Sequence, residues 1–134
     1  MKMPEHYESD MLFYFDGRPA ELSLYQRLFA AMESAFPDTS VKVQKSQISF
    51  YCPKLFAAAS IPVRRKKGWP RECLLVTFGL ERQLSSPRIA VAVEPYPNRW
   101  THHVVVSRPE EIDQELLTWL TQAFQFAQAK RPRR

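Results

Sequence analysis

Three glycines in 134 residues are too few to build a glycine-rich phosphate cradle, and neither G-x-G-x-x-G nor a P-loop occurs. G-x-S-x-G and H-E-x-x-H are absent too, so the chain offers no ready-made nucleophile elbow or zinc helix. Cys52 and Cys73, the only cysteines, stand too far apart for a zinc pair and are too few for a disulfide framework; both are expected to be reduced thiols in the core. No run approaches the roughly 18 to 20 apolar residues that span a bilayer, and the charged N-terminus has no signal-peptide core. The expectation is a cytoplasmic protein with no membrane contact, no metal and no cofactor.

What the chain does have is ordinary globular chemistry, with 45% hydrophobic and 25% charged residues, enough for one core but not for two. Eleven prolines imply short, stiff connections. A single domain over 1–134 is expected. The net charge of +5 is local: Lys130, Arg131, Arg133 and Arg134 make a basic tail, and without them the remainder carries +1. A second cluster, Arg64, Arg65, Lys66, Lys67 and Arg71, lies between two apolar runs. It reads either as a solvated loop or as a contact for phosphate or nucleic acid.

Residues 1 to about 17 have no sustained period and are expected to form an extended arm that ends in a turn at Asp16-Gly17. From Pro19 to Phe36, Leu22, Tyr25, Leu28, Phe29, Met32 and Phe36 recur at steps of three and four, a helical stripe bounded by Pro19 and Pro37. The period then changes to two. Strands are predicted around Val41–Val43, Ile48–Cys52, Leu55–Val63, Leu74–Leu80, Ile89–Val93 and Trp100–Val106. The short connections favour an antiparallel meander. Ser107 and Glu110 form a candidate capping box for a second helix, whose buried stripe is Ile112, Leu116, Trp119, Leu120, Ala123 and Phe126. The expected fold is α+β, a mainly antiparallel sheet of five or six strands with one N-terminal and one C-terminal helix on one face. The opposite face would carry Gln44, Ser49, Tyr51, Thr77, Ala90, Ala92, Glu94, Thr101 and His103.

The run Trp100-Thr101-His102-His103, followed by Glu111-Ile112-Asp113, Glu115-Leu116-Leu117 and Trp119-Leu120, resembles the C-terminal signature of a family of small bacterial domains of unknown function. Lys45, Ile48, Phe50, Tyr51 and Phe56-Ala57 extend the likeness over about residues 13 to 128. The resemblance implies no catalytic residues. It implies relatives that serve as C-terminal partners of restriction-type or nuclease-like domains, and others labelled as predicted transport proteins. A looser similarity of helix and sheet content is to bacterial domains linked to iron handling.

Adjacent on one strand, His102 and His103 must point to opposite faces, His102 toward the helices and His103 outward, so they make a poor pair for one metal. His103 is either a surface residue or a general base or anion contact. Lys45 either sits in a turn after Gln44 or is drawn inward and needs a carboxylate, such as Asp113 or Glu94, or a bound anion. Arg64 to Lys67 with Trp69, and Arg99 with Trp100, set cations beside indoles, which suits stacking on bases as well as snorkelling over a sheet rim. Three functions follow. The first is a non-enzymatic binding or accessory module for an anionic ligand, nucleic acid or partner protein. Its candidate residues are Lys45, Tyr51, Arg64, Arg65, Lys66, Lys67, Trp69, Arg99, Trp100 and His103. The second is a small enzyme with His103 as base and Lys45 and Tyr51 as anion contacts, and the third is a homodimer paired through an edge strand.

Overall fold

A computed structural model describes residues 1–129; the basic tail at 130–134 lies outside the described residues. The elements run α1 (Tyr7–Tyr14), α2 (Pro19–Ala35), β1 (Ser40–Val43), β2 (Ile48–Tyr51), β3 (Leu55–Ser60), β4 (Leu74–Leu80), β5 (Ile89–Tyr96), β6 (Arg99–Val106), a 3-10 turn (Pro109–Glu111) and α3 (Gln114–Ala129). The protein is an α+β fold with one six-stranded sheet in the order β1-β2-β3-β4-β6-β5, every neighbouring pair antiparallel.

Each helix buries one stripe on one side of the sheet. Along α2 the buried residues are Glu21, Leu24, Tyr25, Leu28 and Met32, spaced as a helix face requires. On α3 they are Leu116, Trp119, Leu120, Ala123 and Ala127. The strands contribute their alternate residues, among them Ile48, Phe50, Leu74, Val76, Phe78, Val104 and Val106, all essentially inaccessible. Aromatic contacts fix the layers: Phe36 and Phe124 stack at 5.0 Å, with Phe56 edge-on to both. Phe78 stacks on Trp119 at 6.1 Å.

The first segment is not an extended arm. Residues Tyr7–Tyr14 form α1, because Tyr7, Met11 and Phe15 recur at four-residue steps and bury themselves beside α2. The hydroxyls of Tyr7 and Tyr25 share a 2.6 Å hydrogen bond there, and burial raises the pKa of both phenols. Ahead of α1, the Lys2 N–H donates to Thr39 O and the Val41 N–H to Lys2 O, a single parallel bridge at the free edge of β1. The turn at Asp16-Gly17 is present, with Gly17 at φ 71.

The meander holds only from β1 to β4. β6 inserts between β4 and β5, so β4 and β5 run in the same direction and residues 81–88 must travel back along the sheet to join them. This crossover is anchored at its middle and at its far end. The Leu84 N–H donates to His102 Nε2 at 2.9 Å. Arg88 donates to both Asp113 oxygens at 2.9 and 3.1 Å, to Glu115 at 2.9 Å and to the Glu111 carbonyl at 2.6 Å, with its guanidinium 5.6 Å from the Trp119 ring. Asp113 therefore pairs with Arg88 and not with Lys45. Burial works to raise the Asp113 pKa, but the Leu116 N–H and the Arg88 guanidinium outweigh it and hold the carboxyl below its usual range.

The capping arrangement also differs from the expected pair. Glu111, not Glu110, accepts from the Ser107 and Arg108 N–H groups, at 2.9 and 3.0 Å. Asp113 then caps α3 itself by accepting from the Leu116 N–H at 3.0 Å. Pro109 favours a separate 3-10 turn before the helix, which shifts the cap downstream.

Candidate functional site

The face turned away from the helices carries one continuous row across the sheet, Lys42, Ser49, Ala58, Thr77, His103 and Val91, each paired with the next. A bulge between Ile89 and Val91 changes the parity of β5. Val91 and Val93 therefore turn to this face and Ala92 turns inward opposite His102, the reverse of the simple alternation. Gln44 is not a strand residue but part of the β1–β2 turn, where its side-chain oxygen accepts from the buried Ser49 hydroxyl at 2.6 Å.

The sheet's second face is not fully open. The 61–73 connection, which holds all five cations of the internal cluster, passes across it. Trp69 and Gly68 line a cavity of about 350 Å³ with Ala90, Val105 and Arg88, and the Lys66 ammonium is near enough to bear on His103. A reverse turn closes the loop, with the Trp69 N–H donating to Lys66 O at 3.0 Å and Gly68 at φ 91. Arg64, Arg65, Lys66, Lys67 and Arg71 are exposed, and none has an ion pair among the described residues. Trp69 is half-buried.

His103 shares a 2.8 Å hydrogen bond between Nδ1 and the Thr77 hydroxyl. Burial first, and the Lys66 charge second, lower its pKa, so the ring is neutral at pH 7. Lys45 is exposed in the turn after β1, where the Gln44 N–H donates to Gln47 O; an inward lysine is thereby ruled out. Tyr51 shares the face with Lys42, whose ammonium sits 5.0 Å from its ring. Strands β3 and β4 separate Tyr51 from His103, about 14 Å at the usual strand spacing. Lys45, Tyr51 and His103 are not brought together.

Arg99 and Trp100 do not stack on each other. The Arg99 guanidinium lies against Gly79, where a Cβ would collide with it, and 5.9 Å from the Phe126 ring. Trp100 pairs with Leu80. His102 is fully buried and stacks on Phe78 at 5.3 Å. Because Nε2 accepts the Leu84 N–H, its proton resides on Nδ1, which has no well-formed partner. Burial lowers its pKa, and His103 and Arg82 act in the same direction against the carbonyls of Phe78 and Trp100.

Sequence reasoning missed a second group at the end of the sheet where α2 begins. Here Arg18, Glu21, Arg65, Arg71 and Cys73 surround a cavity of about 420 Å³. Glu21 was legible as an acid at the head of the Leu24, Tyr25, Leu28 stripe, hence on the buried side of α2. The Cys73 thiol is buried, and burial together with the Glu21 charge raises its pKa against the pull of Arg65, so it stays protonated and is a poor nucleophile. Cys52 is only half-buried. The described residues contain no group of His, Cys, Asp and Glu fit to hold a metal, and no helix among them is long and apolar enough to cross a membrane.

A small α+β domain with a basic loop folded over one sheet face is the class these features define. The chain belongs to the family described as a domain of unknown function, DUF5655, whose sequence model matches residues 13–127. No curated protein and no solved structure matches it.

Proposed function

We propose that this domain is a non-enzymatic accessory module that binds nucleic acid through its 61–73 loop. The supporting observation is the uncompensated charge of Arg64, Arg65, Lys66, Lys67 and Arg71, exposed on one short connection between Pro62 and Pro70 and beyond. Cations that neutralise phosphates release condensed counterions, and that release supplies most of a sequence-independent affinity. The half-buried Trp69 beside them offers an edge on which a base can rest. The separation of Lys45, Tyr51 and His103 argues for binding over catalysis, since a general base needs its partners within hydrogen-bond reach.

Edge pairing into a homodimer has less support. β5 carries Pro95 and register shifts at both Ile89/Val91 and Val93/Tyr96, devices that blunt an edge against a second copy. The module works as one folding unit in a bacterial cytoplasm, a compartment in keeping with two unpaired cysteines.

Hydrogen–deuterium exchange with and without a short single-stranded oligonucleotide tests the surface. Slower exchange confined to residues 61–73 and the adjoining part of β6 is the expected footprint. Protection centred on the β5–β6 hairpin around Pro97 and Asn98, or on α3, would move the site elsewhere.

A further inference from the structure

The cavity at the head of α2 contains a carboxylate that the fold leaves unsatisfied. Glu21 is 1% exposed; its Oε2 accepts from Arg18 Nη1 at 3.4 Å, and its Oε1 is buried with no hydrogen-bond partner. A buried carboxyl oxygen without a donor is left uncompensated by the fold, so a site that keeps one gains from a ligand that supplies the donor. The Arg18 contact is at the long limit for a hydrogen bond, and its side chain is 51% exposed, so it can give way.

The same cavity presents Arg65 and Arg71, neither engaged in an ion pair among the described residues. Arg18 and Ile61–Val63 form the ridge shared with a larger neighbouring cavity of about 680 Å³, which adds Phe13, Tyr14 and Val43. Phe13 and Val63 are 82% and 93% exposed, an apolar lining open to solvent.

We propose that these joined cavities bind a small amphoteric ligand, one that links a carboxylate or phosphate to an N–H donor. The anionic group sits between Arg65 and Arg71, the donor meets Glu21 Oε1, and an apolar or aromatic body runs along Ile61 and Val63 toward Phe13. The site goes beyond nucleic-acid binding by the loop, because a buried carboxylate repels a bare polyanion while it selects a ligand with its own N–H. Amino acids and nucleotides both carry this pairing of groups. An ammonium would serve in the first and a base N–H edge in the second.

Isothermal titration of the whole protein with L-phenylalanine, guanosine monophosphate and inorganic phosphate separates these sources. The expected result is saturable binding of one of the first two, with phosphate at least about ten-fold weaker. Glu21→Gln and Arg71→Met should each weaken the bound probe by about ten-fold or more. Arg71 is exposed, so its variant keeps the fold and decides the matter even if Glu21→Gln does not fold. Phosphate binding as tightly as both organic probes would reduce the site to a plain anion contact and overturn the proposal. So would an unchanged affinity in a folded variant, or no saturation by either organic probe up to about 10 mM. Oligonucleotide binding measured on Glu21→Gln reports on the loop separately, since Glu21 contacts no polyanion in that reading, whereas Arg71 belongs to both surfaces.

Discussion

His102→Ala should lower the unfolding free energy by about 2–4 kcal/mol, the largest loss expected from any polar substitution in the protein. The ring is fully buried, stacked on Phe78, and accepts the Leu84 N–H. Its removal opens a cavity and also orphans a part-buried donor, the Leu84 N–H, in the crossover that carries the chain from β4 to β5. Urea unfolding would register the loss as a lower midpoint at an unchanged slope. A loss below about 1 kcal/mol would mean that Arg88 alone holds the crossover.

The same residue sets a pH dependence. Burial depresses the folded pKa of His102, and of His103, below the ordinary value of about 6.5. The unfolded chain therefore takes up protons first as the solution is acidified, and stability falls as pH drops through about 6.5 toward the folded values. Above that range the contribution is fully present. The slope from each ring is at most about 1.4 kcal/mol per pH unit. His102→Ala should flatten the profile below about pH 6.5, besides lowering it.

Neutralising Arg64, Arg65, Lys66 and Lys67 to glutamine is the change with the largest expected effect on function. If these four cations contact four phosphates of a single strand, the slope of log affinity against log salt should fall by about 3 units. At roughly 0.1 M salt this corresponds to a loss of about 100- to 1,000-fold. The fold should be untouched, because all four side chains are exposed and unpaired among the described residues. An unchanged affinity in a folded variant would leave the loop a solvated connection and transfer attention to Lys42 and Tyr51.

Local periodicity made much of this architecture legible. The two-residue alternation of Leu74, Val76, Phe78 and Leu80, and the three- and four-residue steps of α2, are properties of a few consecutive side chains, and each reappears as a buried face. Helix α1 carried the same signal in Tyr7, Met11 and Phe15, but exposed Leu12 and Phe13 between them blurred the stripe. The insertion of β6 between β4 and β5 was not legible, because pairing between non-consecutive strands leaves no mark on either strand's own period. Nor was the bulge that turns Val91 outward.

The candidate site was legible as charge but not as geometry. The cations at 64–67 were evident, whereas their passage over the face of His103 depends on how the 61–73 connection folds back. Arg88, isolated in the sequence, gave no hint of its four contacts with Glu111, Asp113 and Glu115. A single arginine acquires its role from which acids the fold sets within reach, and here those acids lie on an element more than twenty residues away.

Fluorescence anisotropy of the wild-type protein with short labelled DNA and RNA, at low and at moderate salt, tests nucleic-acid binding most directly. Saturable binding at low salt that weakens steeply as salt rises is the expected result. Absence of binding to either polymer at low salt would contradict it.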